Sequence, residues 1–98
     1  EKLTPENIEE YPEVIESTVK TYTPDAGGEF RYSWESGSGS GGSGTAGLEW
    51  LFPDRKTGRV IAGYSYSGEG LTGLEIETFT LNEDGTVTLA VYVPKAGE

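Results

Sequence analysis

Apolar residues recur at spacings of three and four through the first quarter of the chain. They are Ile8, Tyr11, Val14, Ile15, Val19 and Tyr22, with several glutamates between them. This spacing places the apolar side chains on one side of a helix and the acids on the other. Thr4, Pro5 and Glu6 supply a capping hydroxyl, a preset φ and an acid, which together favour a helix start. The pattern predicts an N-terminal amphipathic helix, kinked at Pro12 because proline has no N–H to donate.

The hydrophobic period then changes to two. Apolar and polar side chains alternate over residues 30–35 and again over residues 48–52. A third alternating segment covers residues 60–67, and the turn-forming residues 53–58 precede it, so we expect the second and third segments to pair as a hairpin. Gly63 lies inside the third segment and indicates a bend or bulge there.

Two more strands, over residues 74–81 and 87–93, flank Asn82-Glu83-Asp84-Gly85, which is typical of a hairpin turn. In the first of these strands the apolar parity shifts near Glu77 and Thr78, which predicts a bulge. The sequence therefore indicates an α+β fold in which the N-terminal helix packs on a curved antiparallel sheet of about five strands.

One helix across a curved antiparallel sheet resembles the cystatin and monellin type of fold. The resemblance implies the architecture alone. The Gln-Val-x-Val-Gly loop of inhibitory cystatins has no counterpart in this sequence, so protease inhibition is not implied.

Residues 36–44 contain only glycine and serine. This composition predicts a flexible synthetic linker inside a single domain that covers residues 1–98. Its root-mean-square span of roughly 16 Å indicates that it joins strands that are not hairpin neighbours. Residues 91–98 followed by residues 1–8 would form strand, polar loop and helix start, so a circular permutation explains the tract as well as a design, or a fusion of two fragments, whose loop was simply filled with glycine and serine. The tract, with no Cys, His or Met elsewhere, is typical of an engineered or computationally designed protein.

Candidate chemistry is sparse. The absence of Cys and His removes thiolate chemistry, the commonest general base and the commonest transition-metal ligand. Residues 68–73 match the glycine spacing of a dinucleotide loop, but a strand follows them and Glu69 would repel phosphate. Asn82 to Gly85 lack the alternating ligands of a calcium loop. We therefore predict no enzyme activity, no cofactor and no metal.

Seventeen acids against seven bases give a net charge of −10. A phosphate backbone would be repelled, so nucleic-acid binding is disfavoured. The apolar runs are far shorter than the roughly 20 residues that span a bilayer, and Glu1 begins no basic, apolar targeting segment. We expect a soluble protein without a membrane partner, and the compartment stays open. The negative charge either keeps the protein soluble or forms an acidic face that binds a basic partner.

The aromatic residues give the one candidate binding site. It comprises Tyr32, Trp34, Trp50, Phe52, Tyr64 and Tyr66. A curved sheet closed by a helix can place such side chains around a pocket for a small apolar molecule, or pack them as core. The sequence thus predicts a non-catalytic scaffold. The alternative is a binding module that uses either this pocket or an acidic face, as a monomer or as a dimer through sheet edges.

Overall fold

A computed structural model describes residues 3–37, 39, 41–65 and 74–95 of the protein. A 3₁₀ turn at Ile8–Glu10 precedes the first strand. The remaining elements are β1 (Ile15–Tyr22), β2 (Glu29–Glu35), β3 (Gly41–Gly47), α1 (Leu48–Leu51), β4 (Gly58–Ser65), β5 (Glu75–Leu81) and β6 (Val87–Pro94). None of the helices in this part of the chain is long and apolar enough to cross a membrane.

The strands form two antiparallel sheets. Four of them make one sheet in the order β1-β6-β5-β4, and β2 and β3 make a separate hairpin. The hairpin packs on one face of the four-stranded sheet, where Phe30 and Trp34 join a core with Phe79, Leu89 and Val91. The N-terminal segment packs on the other face. There the buried residues are Leu3, Ile8, Ile15, Leu74, Ile76 and Tyr92.

The predicted N-terminal helix is wrong, and with it the α+β class and the likeness to cystatin and monellin. The segment forms a 3₁₀ turn and then β1, which pairs with β6 from Ile15 opposite Pro94 to Tyr22 opposite Val87. The described chain is therefore mainly β. Pro12 excludes a continuous helix, and the many β-branched residues that follow it favour a strand.

The spacing of the apolar residues predicted a helix wrongly because Ile15, Val19 and Tyr22 lie on both faces of β1. Ile15 is buried under the N-terminal segment, whereas Val19, on the same face, is 62% exposed. Tyr22 packs against the opposite core. Three apolar residues at spacings of four and three thus match a helix by coincidence, since a strand places residues four apart on one face and three apart on opposite faces.

The strand predicted over residues 48–52 is also wrong. Residues 48–51 form α1, whose final turn closes with a 2.6 Å bond from the Phe52 N–H to the Leu48 carbonyl. Leu51 and Phe52 are buried and Leu48 packs beside them, so the apolar positions follow helical spacing. The hairpin predicted across residues 53–58 does not form, because β4 pairs with β5 instead.

Part of the glycine and serine tract is a strand. Residues 41–44 begin β3, and Glu35 of β2 lies directly opposite Gly41. The tract therefore connects hairpin neighbours, contrary to the prediction. Trp34 and Tyr32 lie opposite Gly42 and Gly44. A Cβ atom at these two glycines would come within 3.1 Å of the Trp34 Nε1 and 2.8 Å of the Tyr32 Oη, so aromatic rings cover the space that side chains would occupy.

Two local predictions on the sheet have mixed outcomes. The irregularity at Gly63 is confirmed, because the register shifts between Ile61 and Gly63 of β4. The bulge predicted on β5 near Glu77 is wrong, since the β5–β6 register runs without a break. Thr78 and Phe79 are adjacent and both buried because both faces of β5 are covered. The extra residue lies opposite this point, on β4.

The last hairpin is confirmed. Leu81 pairs with Val87 across residues 82–86, and Gly85 has a φ of 91°, which glycine adopts without strain. The Asp84 carboxylate accepts bonds from the Thr86 N–H and hydroxyl at 3.0 and 2.6 Å. This acid stabilises the turn. The glycine-rich spacing at residues 68–73 lies outside the described residues.

Candidate functional site

The aromatic residues predicted as a pocket are divided between the core and the surface. Trp34 and Phe52 are buried, and the half-buried Tyr32 stacks edge-on against Phe79 with ring centroids 5.3 Å apart. Trp50 on α1 is 68% exposed and Tyr64 on β4 is 60% exposed. Tyr66 lies outside the described residues. The described members thus contribute to core packing or to separate surfaces, and they do not converge on one cavity.

A half-buried acid, Glu77, lies between the two sheets. The Trp34 Nε1–H donates to Glu77 Oε2 over 3.3 Å. Burial raises the pKa of the Glu77 carboxyl, the Trp34 bond opposes this rise, and the like charge of Glu75 adds to it. The pKa of Tyr32 is raised by burial and then by Glu77. Among the described residues no group of three or more acids could hold a metal ion.

A second acid fastens the N-terminal segment to the sheet. Glu9 accepts a 2.8 Å bond from the Tyr92 hydroxyl and lies 3.3 Å from Arg59 Nη1. The Tyr92 bond, and then the Arg59 bond, lower the pKa of Glu9. Burial raises the pKa of Tyr92, and its bond to the carboxylate adds to that rise. The three side chains join the 3₁₀ turn to β4 and β6.

Side chains of β1 cover the outer edge of β2. The Tyr22 hydroxyl donates to the Ser33 carbonyl at 2.9 Å and accepts from the Ser33 N–H at 3.2 Å. The Thr18 hydroxyl donates to the Glu35 carbonyl, and the Glu16 carboxylate accepts from the Gly37 N–H. Both backbone groups of Ser33 are therefore occupied on the side that faces β1, so an added strand is excluded there.

The opposite edge of the hairpin is open. Ser33 and Ser43 are directly opposite, and in an antiparallel pair two such residues exchange either both backbone bonds or none. Since the Ser33 groups point to Tyr22, Ser43 also directs its N–H and C=O away from β2. Because the direction of the backbone groups alternates along a strand, the N–H and C=O groups of Gly41 and Thr45 also point away from β2. We call these three residues the β3 edge; all are exposed, and in the described part of the chain β3 pairs with β2 alone.

The β3 edge lacks the features that normally block edge strands. The seven residues of β3 include no charge, no proline and no side chain larger than threonine. By contrast, β4 has Arg59 and a bulge, and β1 has Glu16 and Lys20. Charges, prolines and bulges are the usual protection against strand addition. Of the described edges, the β3 edge is thus the least protected.

A groove adjoins this edge where β3 meets α1. Its volume is about 300 Å³, and its lining includes Glu29, Thr45, Gly47, Glu49 and Trp50. We call it the α1 groove. Thr45 belongs both to the groove and to the β3 edge, so the two surfaces are continuous. Glu29 and Glu49 make the groove acidic, and Glu49 also pairs with Arg55 at 3.2 Å.

Sequence reasoning missed both surfaces. The signal that it passed over is the alternation of Gly42, Gly44 and Ala46, which lie opposite Trp34, Tyr32 and Phe30. Small residues at period two opposite aromatic residues indicate a paired strand.

Comparison of the chain with protein-family models, with curated proteins and with solved structures found no match. Geometry and charge therefore carry the functional argument.

Proposed function

We propose that this protein is an engineered, non-catalytic scaffold that acts as a binding module for a basic protein segment. The observation that carries the proposal is the exposed excess of acid. Of the acids on the described surface, Glu29, Glu35 and Glu49 flank β3. Opposite charge raises the rate and selectivity of association.

Two further observations favour binding over catalysis. The acid with a raised pKa, Glu77, is bonded to the Trp34 indole and has Tyr32 as its aromatic neighbour, so no nucleophile–base pair is formed there. Several of the aromatic side chains predicted to line an apolar pocket pack in the core instead. A small apolar ligand is therefore less well supported than a protein partner.

The engineered origin is supported by the glycine and serine tract and by the absence of Cys, His and Met. A circular permutation remains one way to explain the tract. The described ends of the chain are compatible with it: Leu3 shares a buried cluster with Ile15, and Ile15 pairs with Pro94. The two ends thus lie near the same end of the four-stranded sheet.

The proposal predicts charge-selective, salt-sensitive binding. We expect a lysine-rich peptide to bind at low salt and to bind more weakly at high salt, because screening reduces attraction between exposed charges. Isothermal titration calorimetry measures both affinities. A peptide of equal length with glutamate in place of lysine is the matched control and should not bind. Failure of the lysine peptide to bind at low salt would contradict the proposed function.

A further inference from the structure

We propose that the β3 edge binds an extended peptide segment carrying Lys or Arg as an added strand, with one basic side chain in the α1 groove. This inference rests on the proposed function and adds a location, a binding mode and a chemical class of ligand to it.

The backbone of β3 supplies the main recognition. Each residue of the β3 edge directs one N–H and one C=O outward, so Gly41, Ser43 and Thr45 together present three donors and three acceptors. An extended peptide satisfies such groups without any required side chain, as in strand addition to an exposed edge. The glycines on either side of Ser43 leave the approach free of bulky side chains. The edge is therefore suited to bind a backbone rather than a compact surface.

Charge selects the chemistry of the added strand. Glu29 lies opposite Gly47 and Glu35 lies opposite Gly41, so an acid stands at each end of the hairpin. Arg31, opposite Thr45, is the base between them. Glu49 adds a third acid in the α1 groove. Arg55 pairs with Glu49, and Lys20 lies in a surface pocket with Glu35, so these bases and Arg31 offset part of the local acid. The net charge of −10 on the whole chain still favours Lys or Arg on the bound segment.

The α1 groove supplies a place for one such side chain. Trp50 lines the groove and is 68% exposed overall, and an indole face attracts an ammonium or guanidinium group. Glu29 offers a carboxylate to the same cation, and Glu49, which also pairs with Arg55, offers a second. Because Thr45 lines both the groove and the edge, a residue of the added strand opposite Thr45 lies beside the groove.

Charge also decides against a second copy of this chain as the occupant. Pairing two β3 edges would bring together two molecules that each carry a charge of −10. Such like charges oppose association at low salt, whereas a basic segment is attracted under the same conditions. Self-association is therefore the competing outcome that the test must separate.

The test uses a capped peptide of seven residues, matched to the seven of β3, with alternating Lys and Thr. Binding is followed by tryptophan emission, to which Trp34 and the exposed Trp50 both contribute, and by protection of the Ser43 and Thr45 amide protons from exchange. We expect Ser43→Pro to weaken binding by at least about tenfold, because proline removes an outward N–H. Ser43→Thr keeps that N–H and is the matched control, with binding within about twofold of the parent chain.

A second measurement leaves the protein unchanged. The peptide is made in two forms that are N-methylated on alternate backbone nitrogens. A peptide that binds as an added strand uses alternate N–H groups, so it loses affinity in one methylated form and keeps it in the other. This comparison tests strand addition even if Ser43→Pro does not fold.

Each outcome has a distinct meaning. Salt-sensitive binding that neither Ser43→Pro nor N-methylation changes would overturn the β3 edge and leave the proposed function standing. Absence of binding by the lysine peptide would overturn both. A dimer in sedimentation that Ser43→Pro abolishes, with no peptide binding, would assign the edge to self-association instead.

Discussion

Glu77 and Glu9 differ in their surroundings, and their carboxyl pKa values move in opposite directions. Glu77 is half-buried between the sheets, so burial favours its neutral form and raises its pKa. Glu9 is exposed and its carboxylate accepts a bond from Tyr92, which lowers its pKa. The Glu9 contribution to stability is present above its unfolded pKa and is lost as pH falls through the folded value. Glu77 has the opposite sign, because its folded pKa is raised and its contribution is lost as pH rises through that value.

Glu77→Gln should therefore raise the free energy of unfolding at neutral pH. The amide oxygen can still accept from the Trp34 Nε1–H, while the cost of a half-buried charge disappears. We expect the variant and the parent chain to converge in stability at acid pH, where the Glu77 carboxyl is protonated in both states. Urea unfolding at acid and neutral pH measures the difference. A variant less stable than the parent at neutral pH would contradict the burial argument.

At the scale of elements, β3 is a strand built almost without side chains. Glycine in a strand interior costs conformational entropy, and here the aromatic residues of β2 cover the vacant positions. The Trp34 indole is buried and bonded to Glu77, so it cannot move aside. The sign of a glycine substitution in β3 should thus depend on what lies across from it.

Gly42→Ala should destabilise the protein by about 1–3 kcal/mol, because its Cβ would lie 3.1 Å from the Trp34 Nε1. Gly47→Ala is the matched control in the same strand. Its Cβ would meet its nearest atoms at an ordinary 3.8 Å, and its backbone is extended. We expect this variant to be neutral or more stable by about 0.5–1 kcal/mol. Thermal unfolding measures both; equal losses at the two positions would argue against coverage by Trp34.

The sequence predicted those strands whose apolar residues alternate over a long run or meet at a recognisable turn. Strands β5 and β6 were found with their hairpin because Gly85 and its neighbours specify the turn. Strand β1 was missed because its two faces are covered by different partners, so its apolar residues do not alternate simply. Strand β3 was missed because it has almost no apolar side chains, and its small residues at period two indicate a strand only when they are compared with the aromatic residues opposite them.

The candidate site was less predictable than the fold. Of the five predicted pocket residues that the structure describes, Trp50 alone borders the α1 groove. The open edge depends on the direction of backbone groups, which follows from the bonds between Tyr22 and Ser33. These residues are eleven positions apart and on different sheets. A contact of that kind arises from tertiary packing, and local sequence carries no record of it.

At the scale of the whole molecule, the chain order can be tested separately from the fold. The sheets need β1 beside β6 and β2 beside β3, yet the segment between β2 and β3 is a short connection through Gly39. Lys95 donates its N–H to the Val14 carbonyl at 3.3 Å, which holds the end of the described chain near the start of β1. We expect both sites to tolerate a change in connectivity if the sheets assemble first.

A permuted chain that begins at residue 40, ends at residue 39 and joins Glu98 directly to Glu1 should fold. We expect its free energy of unfolding to lie within about 2 kcal/mol of the parent value, because one surface connection replaces another and closure cost changes slowly with length. Circular dichroism and urea unfolding measure this. The matched control joins Glu98 to Glu1 while keeping the 39–40 bond, as a closed ring. A permuted chain that stays unfolded while the ring folds would rule out the permuted history.

The two edges of the β2–β3 hairpin differ, and this difference limits the growth of filaments by strand pairing. A filament made by strand pairing needs each molecule to offer two different free edges, so that the contact repeats without closing. Here Tyr22, Thr18 and Glu16 occupy one of the two. A second copy could pair through its own β3 edge, and that pairing closes as a symmetric dimer with nothing left on this hairpin to extend. Because the side chains of β1 block one edge of the hairpin, the β3 edge can bind one strand, but the hairpin cannot propagate a filament.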